Sequence, residues 1–541
     1  MSCTSTKTIH SVLSVMSTSF STISGSFVAF AALALSLWRT LHRWLTPQKG
    51  ACLPPGPKPA PLIGNMLDFP KANSAATYVN WGKRYNSDIL HASSFGTHVV
   101  VLNNLKDAEE LLEKRARIYS NRLSMPIVKM MSWEGNMGFM SVGPEWRKHR
   151  RITQQHFRLD ACVNHQDVQL RRLHLTLRGL LDTPEDFLTH LKMLSISIPL
   201  ASLYGYDIKS LQDPYIAASD RSAELAGRLL MPNYTLINTF PILGRIPAWM
   251  PGATAQKMIA ETKNLSNWLT NSPVEDATKR IKEGKATPSI FTEFFERRSE
   301  KPAPDASDED LTALAQVAVA VYGGAADTMV ISTTNLIYAL ATHPDVQRKA
   351  RAEVDRVVGM DRLPEFADRD SMPYCEAVYR ELMRWRPPLN IALPHCSSED
   401  DMYKGYFIPK GTLVMGNIWA MTHNEAIYPN PDAFIPERFL TDEGELNDDS
   451  RVLAYGFGRR ICPGKHIAGS TIWITLVTIL SCFEIDKAKD EHGNDIEIND
   501  EFDDVSVTSH KKPFQCSIVP RSSDIQKLLD DAVIREQLPS Y

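Results

Sequence analysis

The 541-residue sequence lacks a large excess of charge of either sign. Its 59 lysines and arginines against 63 aspartates and glutamates leave a formal net charge of −4. Because nonspecific nucleic-acid binding depends on a dense positive field, this balance argues against a nucleic-acid partner.

The cysteines form no C-x-x-C pair, so the sequence gives no support to a zinc site or a disulfide framework. Most of them are expected to be small buried side chains in a reducing compartment. The eight positions are Cys3, Cys52, Cys162, Cys375, Cys396, Cys462, Cys482 and Cys516.

Internal repeats, long low-complexity linkers and the dinucleotide-binding pattern G-x-G-x-x-G are absent as well. By length alone the chain could form roughly three or four domains. Without repeats or linkers we predict one large domain over residues 66–521. A polar, loosely attached tail is predicted over residues 522–541.

An uncharged, increasingly apolar stretch runs from Phe20 to Trp38. At about 1.5 Å per residue it spans roughly 28 Å, which is enough to cross a hydrocarbon core. A cleaved signal peptide is the alternative, but more positive charge follows the segment than precedes it. This asymmetry favours a retained transmembrane helix, with residues 1–19 luminal and the rest of the chain cytosolic. The charges are Lys7 before the segment and Arg39, Arg43 and Lys49 after it.

Residues 39–65 then form a basic flank and a proline-rich hinge, LPPGPKPAPLIGN, from Leu53 to Asn65. Its proline spacing disfavours helix and favours an extended, stiff connector. Two strands joined at Phe95-Gly96-Thr97 are predicted further on, over Asp88 to Leu102.

The most informative stretch is YGFGRRICPG, residues 455–464. It places Cys462 between closely spaced glycines, behind Arg459 and Arg460. Glycine allows the backbone to approach a flat ligand, and Pro463 restrains the exit from the turn. Nearby positive charge and N–H groups favour the thiolate that binds metals, while arginine suits carboxylates. A buried structural cysteine in a glycine-rich turn is the alternative.

A long helix is predicted from Asp308 to Thr342, and its centre reads YGGAADTM. Asp327 and Thr328 place an acid beside a hydroxyl. Aspartate is a poor residue for a helix interior, and threonine there commonly hydrogen bonds back to its own helix. Such a local conflict indicates a functional site.

Other candidate positions form spaced pairs. Trp146 and Arg150 lie one turn apart on a predicted helix, as do Glu381 and Arg384. The apolar segment 389–394 is a strand candidate that precedes His395. The segment 467–483 is long and apolar but is predicted to be a buried core helix.

The cysteine loop resembles the haem-ligand loop of the cytochrome P450 superfamily, written F-x-x-G-x-R-x-C-x-G. Gly458, Arg460, Cys462 and Gly464 match that pattern, and Tyr455 stands where the family usually has phenylalanine. The resemblance implies that Cys462 is the axial ligand of haem iron. The fold it implies is mainly α with a small β lobe, preceded by a single N-terminal transmembrane helix.

The helix centre resembles the family's oxygen-activation motif, A-G-x-D-T-T. Asp327 and Thr328 match it, whereas Ala325 replaces a glycine and Met329 replaces the second threonine. The resemblance implies that Thr328 hydrogen bonds to bound dioxygen and that Asp327 relays protons from water.

The remaining motifs are assigned by the same resemblance. Trp146, Arg150 and His395 are expected to contact the haem propionates together with Arg460. Glu381, Arg384 and Arg438 are expected to form a buried ion triad with a structural role.

The implied function is that of a haem b monooxygenase of the endoplasmic reticulum membrane. It would use O2 and electrons from NADPH through a separate cytochrome P450 reductase. The overall pattern most resembles fungal microsomal members that act on lipophilic natural-product intermediates, such as a terpenoid, a polyketide or an indole. The alternatives are a haem-thiolate isomerase or dehydratase that needs no reductase, and a membrane-anchored haem sensor without enzymatic activity.

Overall fold

The computed structural model describes residues 52–230, 235–300, 308–504 and 508–537. The predicted luminal tail and the predicted transmembrane segment, residues 1–38, lie outside the described residues. The described part is mainly helical with small β-sheets, as predicted.

Helices of the first half surround the site on one side. They are α1 (Ser74–Tyr85), α2 (Leu105–Ala108), α3 (Ala116–Tyr119), α4 (Pro126–Met130), α5 (Pro144–Phe157), α6 (Gln166–Asp182), α7 (Phe187–Tyr204), α8 (Pro214–Leu230), α9 (Thr235–Thr239), α10 (Thr254–Lys282) and α11 (Ile290–Glu300).

Helices of the second half provide most of the core. They are α12 (Asp308–Thr342), α13 (Pro344–Val357), α14 (Pro373–Trp385), α15 (Ile418–Thr422), α16 (Lys465–Cys482) and α17 (Asp524–Gln537). A π-helical turn covers Glu109–Lys114, and short 3-10 turns cover Cys162–His165, Pro184–Asp186, Pro241–Arg245, Phe366–Ser371, Pro436–Phe439, Leu453–Tyr455 and Gly458–Arg460.

The strands are short. They are β1 (Ile89–Ser94), β2 (Thr97–Leu102), β3 (His395–Cys396), β4 (Asp401–Tyr403), β5 (Tyr406–Ile408), β6 (Leu413–Gly416), β7 (Phe483–Lys487), β8 (Phe502–Asp503), β9 (His510–Lys511) and β10 (Cys516–Pro520).

The longest helix, α12, has the predicted bounds Asp308 and Thr342 and contains 35 residues. At about 1.5 Å per residue it is roughly 52 Å long. Pro344 lacks a backbone N–H and starts the next helix, which ends α12 at this point. Because α12 packs against α5, α7 and α16, it carries the Asp327–Thr328 pair through the centre of the molecule.

The main sheet has the strand order β1-β2-β6-β3. The hairpin predicted over Asp88–Leu102 is confirmed, with positive φ at Phe95 (46°) and Gly96 (79°) in its turn. The β2 strand is buried on both faces, because Val100 contributes to one core cluster and Val101 to another. This sheet holds β3, and with it His395, beside the rest of the site.

The hinge segment lies along β1 rather than free in solvent. The His91 N–H donates to the Pro55 carbonyl at 2.9 Å, and the Asn65 N–H donates to the Ser93 carbonyl. Gly56 approaches so closely that a Cβ would lie 1.8 Å from the His91 carbonyl oxygen. These contacts hold the segment against β1, and its role as a stiff connector stays a prediction.

The α16 helix is buried on nearly every side, which confirms the core helix predicted over 467–483, although Phe483 already belongs to β7. In the described part of the chain, Glu309–Thr342 and Lys465–Cys482 are long and apolar enough to cross a membrane. Threonines in α16 satisfy their hydroxyls within the helix, since Thr475 donates to the Thr471 carbonyl at 2.7 Å.

Two local predictions are wrong. The segment 389–394 forms no strand, and pairing begins only at His395. Pro394 has no N–H to pair, and Ala392 makes a single backbone bond to Gly416.

The predicted loose tail is instead largely helix α17, packed on α6. Ile525 and Leu529 enter the main core cluster, and Asp530 pairs with Arg178 at 2.7 Å. The spacing of Ile525, Leu528 and Leu529 is the amphipathic signal that the polar composition concealed.

Replacing Leu529 with alanine should lower the free energy of unfolding by about 2–5 kcal/mol, because its side chain is fully buried. Ile534→Ala in the same helix is the matched control, since that side chain is 58% exposed, and should change stability by about 0.5 kcal/mol or less. Chemical denaturation of the two variants measures the difference. Equal stability of both would show that α17 is not part of the core.

Candidate functional site

The cysteine loop is a tight turn stabilised by its own backbone. The Cys462 N–H donates to the Tyr455 carbonyl at 2.9 Å, and the Ile461 N–H donates to Gly458 at 3.2 Å. These bonds bring the ends of the turn together. Cys462 lies at the end of this turn, three positions before α16 begins at Lys465. The position of the sulfur is therefore determined by the loop backbone.

Gly458 anchors this loop to the π-helical turn Glu109–Lys114. Its φ is +53°, and a Cβ at this position would lie 2.2 Å from the Leu112 carbonyl oxygen. Its N–H donates to Glu113 Oε1 at 3.3 Å, and Arg451 pairs with the same carboxylate at 2.7 Å. Only glycine fits this approach, which accounts for the residue at this place in the motif.

The sequence predicts that nearby positive charge and N–H groups favour the Cys462 thiolate, but in the structure burial has the larger effect. Burial raises the pKa of the Cys462 thiol, and this outweighs the lowering by the Gly464 N–H, Arg150 and Lys465. The nearby donors act in the predicted direction, but Arg459 and Arg460 are not the charges involved. The thiolate thus depends on a metal that displaces the proton, as is usual for cysteine ligands.

Tyr455 replaces the expected phenylalanine and has a partner for its hydroxyl. Tyr455 Oη lies 3.0 Å from Tyr379 Oη of α14. Gly469 leaves room for this pair, since a Cβ there would lie 2.7 Å from Tyr379 Oη. Arg369 lies over the Tyr379 ring at 5.5 Å. The extra hydroxyl is therefore accommodated by residues from three separate segments.

Three arginines converge beside the loop. Arg460 Nε donates to the Ser120 carbonyl at 2.7 Å, and its other nitrogens donate to Met137 and Met140. Arg122 Nε donates to the adjacent Gly138 carbonyl at 2.8 Å. Arg150 Nη1 donates to the Ile461 carbonyl at 2.8 Å.

Within the described ranges, no carboxylate pairs with any of these three arginines. Burial, together with the charges of Arg122 and Arg150, lowers the pKa of Arg460 to about 9. Burial also lowers the pKa of Arg122 to about 10. Because a buried, unpaired cation is costly, this cluster fits an anionic ligand.

Trp146 and His395 lie in the same cluster as the arginines, and their contact with the propionates stays a prediction. The Arg460 guanidinium lies 4.5 Å from the centre of the Trp146 ring, so Trp146 supports the arginine. His395 Nδ1 lies 2.8 Å from the Tyr119 carbonyl oxygen. Burial and the charges of Arg122 and Arg460 lower the pKa of His395 to about 3, so it stays neutral.

The donor set fits the haem that the family resemblance implies. Two propionates would supply the negative charge that the three guanidinium groups lack, and planar donors match carboxylates. Ser120 Oγ is buried without a hydrogen-bond partner in the described structure, which offers one more donor. The half-buried Cys462 thiol lies beside this cluster, where the resemblance predicts the iron ligand.

The α12 helix presents its small residues on an open side. Gly323 and Gly324 are exposed, and a Cβ on either would meet no atom within 4 Å. Thr328 Oγ1 donates to the Gly324 carbonyl at 2.8 Å. Met329 belongs to the main core cluster, so its departure from the motif leaves the open side unchanged. The helix is continuous through Ala325.

The ion triad is assembled in the structure. Arg384 Nε and Nη2 lie 2.6 and 2.8 Å from the two Glu381 oxygens, and all of these atoms are buried. Arg438 Nε lies farther away, 3.5 Å from Glu381 Oε1. The Ile435 N–H also donates to Glu381 at 2.8 Å, which ties α14 to the segment before the cysteine loop.

The sequence interpretation missed two residues of the site. Arg122 belongs to no motif, and it follows the end of α3 at Tyr119 by three positions. His510 contacts Asp327 from a hairpin 183 residues further along the chain. No local pattern in the sequence predicts either contact.

The cytochrome P450 family model matches residues 54–518. The chain is 36% identical over 504 residues to cytochrome P450 monooxygenase ple1 of Rhodocybe pseudopiperita, which covers 92% of this chain and 95% of the relative. It is 35% identical to cytochrome P450 monooxygenase COX2 of Coprinopsis cinerea, over 89% and 92% of the two chains. It is also 35% identical to tryptamine 4-monooxygenase of Psilocybe cyanescens, over 88% and 94%.

Tyr455→Phe should lower the free energy of unfolding by about 1 kcal/mol, because the buried Tyr379 hydroxyl loses its partner. Tyr379→Phe should have a similar effect. The double variant should lose less than the sum of the two, since both changes remove one shared hydrogen bond. Denaturant unfolding of the four proteins measures the coupling, and strict additivity would contradict it.

Proposed function

This chain belongs to the cytochrome P450 family and is an oxidoreductase that binds haem b through a cysteine thiolate, and from this we propose a specific activity for it. It inserts one oxygen atom from O2 into a lipophilic small molecule. The electrons come from NADPH through a separate cytochrome P450 reductase. The observation that carries this proposal is a cysteine loop held beside one buried and two half-buried arginines, for which the described residues provide no carboxylate partner.

In the proposed site, Cys462 would bind the haem iron, and Arg122, Arg150 and Arg460 would hold the propionates. A thiolate-ligated haem supplies the electron density that favours cleavage of the O–O bond. The loop backbone restricts the Cys462 sulfur to one place, because Gly458 and the Cys462 N–H fix both sides of the turn. Trp146 keeps Arg460 in position through its ring face.

Proton delivery is assigned to the open side of α12. The Thr328 hydroxyl carries a proton there and donates it to the Gly324 carbonyl at 2.8 Å in the resting arrangement. Rotation about one side-chain bond lets the same hydroxyl donate to a reactant. Asp327, next in the chain, is half-exposed and can exchange protons with water. The pair therefore connects solvent to the reaction space.

The proposed substrate is a natural-product intermediate, and an indole is one supported class. The name of the Psilocybe cyanescens relative states that it acts on tryptamine, an indole amine. A lipophilic substrate is also supported by apolar side chains such as Leu393 and Phe240, which remain 37% and 44% exposed.

We place the enzyme on the endoplasmic reticulum membrane with its catalytic domain in the cytosol. Support comes from the apolar segment 20–38 and from exposed side chains between α9 and α10. Ile242 is 63% exposed and Trp249 is 80% exposed, which suits insertion into a lipid surface. Arg147 and Arg151 on the exposed side of α5 suit an acidic reductase.

Cys462→Ala should abolish the thiolate band in the carbon-monoxide difference spectrum of the reduced protein, because alanine offers no sulfur ligand. Cys516→Ala is the matched control, since this half-buried cysteine lies outside the loop, and it should keep the band. A retained thiolate band in Cys462→Ala would overturn the assignment of the ligand.

Thr328→Ala should keep the haem spectrum but divert reducing equivalents to peroxide. We expect product per NADPH to fall on the order of tenfold or more, because a positioned proton donor is removed. The assay combines the enzyme, reductase, NADPH and a substrate that the wild type converts, with tryptamine tested first. Thr333→Ala, one turn and a half away and fully buried, is the control. Unchanged coupling in Thr328→Ala would contradict the role.

A further inference from the structure

His510 lies in a small antiparallel hairpin, β8–β9, that is fixed to the core near α12 and α14. The neighbouring Ser509 N–H donates to the Pro388 carbonyl at 3.0 Å. Asp500 accepts from Tyr338 Oη at 3.0 Å and pairs with Arg386 at 2.6 Å. These contacts on both sides of the hairpin give His510 a defined position.

The His510 ring reaches the acid of the oxygen-activation motif. His510 Nε2 lies 3.2 Å from Asp327 Oδ1 and 3.3 Å from Oδ2. Thr508 Oγ1 lies 3.2 Å from the same nitrogen, and its hydroxyl also hydrogen bonds to Asp327. The side chains of His510 and Asp327 are 40% and 47% exposed, so water reaches both groups.

The charges around this contact come from three elements. Lys192 of α7 lowers the pKa of Asp327, and it is itself paired with Asp220 of α8 at 2.7 Å. Asp503 of β8 acts on His510. Burial raises the pKa of Asp327, but His510, Thr508 and Lys192 outweigh it and lower the pKa overall. The hydrogen bond that His510 donates to Asp327 raises the pKa of His510, against the effect of burial, and the charges of Asp327 and Asp503 raise it further.

We propose that His510 is a positioning residue that supplies protons to Asp327, so that the relay runs from water to His510, to Asp327 and then to Thr328. This inference rests on the proposed monooxygenase function. It adds a titrating group, and the protonation of His510 controls whether a proton is available to Asp327.

The proton balance of the proposed step is simple. The imidazolium transfers the Nε2 proton to one Asp327 oxygen, which leaves a neutral imidazole and a carboxylic acid. The Asp327 carboxylic acid then donates its proton to the Thr328 hydroxyl, which passes its own proton to the reaction space. His510 takes a new proton from solvent. No electron moves in these transfers, and the net result is one proton carried from water to the reaction space.

The first test measures peroxide released per NADPH oxidised by the haem-loaded enzyme with reductase and no added substrate. Fewer protons at the site favour peroxide, which needs two protons per O2, over water, which needs four. In the wild type this ratio should rise as the pH increases through the titration of His510. His510→Gln should show a ratio roughly twofold or more above the wild type at pH 6.5, without the pH step.

His492→Gln is the matched control, because His492 is an exposed histidine in a distant turn. It should reproduce the wild-type ratio at every pH. In an Asp327→Asn background, His510→Gln should add nothing, since the relay is already interrupted. Wild-type behaviour of His510→Gln, or full additivity with Asp327→Asn, would overturn the inference.

The second test needs no turnover. The pair stabilises the folded protein while His510 is protonated, and this contribution is lost as the pH rises through the raised pKa of His510. A double-mutant cycle of thermal unfolding with His510→Gln and Asp327→Asn should therefore show coupling at pH 6 and none at pH 9. Absence of coupling at both pH values would contradict the contact.

The two tests separate the inference from the function on which it rests. If the wild type accepts no electrons from NADPH through the reductase, the monooxygenase proposal fails, while the unfolding cycle still decides whether His510 controls Asp327. If the wild type turns over normally and His510→Gln matches it, only the relay through His510 fails.

Discussion

The site depends on a concentration of positive charge that the protein itself does not neutralise. Arg122, Arg150 and Arg460 come from three separate segments and meet beside the cysteine loop without a carboxylate partner in the described structure. Their guanidinium groups are satisfied as donors by backbone carbonyls, such as Ser120 and Ile461, but their charge is not balanced. Because uncompensated buried charge is costly, binding of the dianionic cofactor at the proposed site would stabilise the fold as well as complete the site.

Cys462, the proposed iron ligand, obeys a related constraint. The Cys462 thiol is disfavoured as an anion by burial, so the protein presents a protonated sulfur in a fixed place and leaves ionisation to the metal. Rigidity of the loop then matters more than the charge around it. Gly458 against Leu112 and the tyrosine pair on the other side restrict the loop from two directions. Positioning of this kind reduces the reorganisation required when the cofactor binds.

The α12 helix is continuous through the Asp327–Thr328 pair and also has an open polar side. An aspartate in the middle of a helix is unfavourable, and here its carboxylate is satisfied by His510 and Thr508 from the β8–β9 hairpin. The adjacent threonine is satisfied within the helix by Gly324. The two members of the motif therefore differ in their hydrogen-bond partners. Asp327 depends on a distant chain segment, whereas Thr328 depends only on its own helical turn.

Local patterns in the sequence determined the bounds of α12, the β1–β2 hairpin, the buried α16 helix and the cysteine loop, because each depends on periodicity, turn residues or spacing over a few positions. They also predict Cys462 as the haem ligand by its likeness to a known loop. Tertiary structure alone decided that Arg122 joins the arginine cluster, that Tyr379 completes Tyr455, that α17 belongs to the core and that His510 meets Asp327. These contacts join residues tens to hundreds of positions apart, and nothing short-range distinguishes such a residue from any other of its type until packing brings its partner to it.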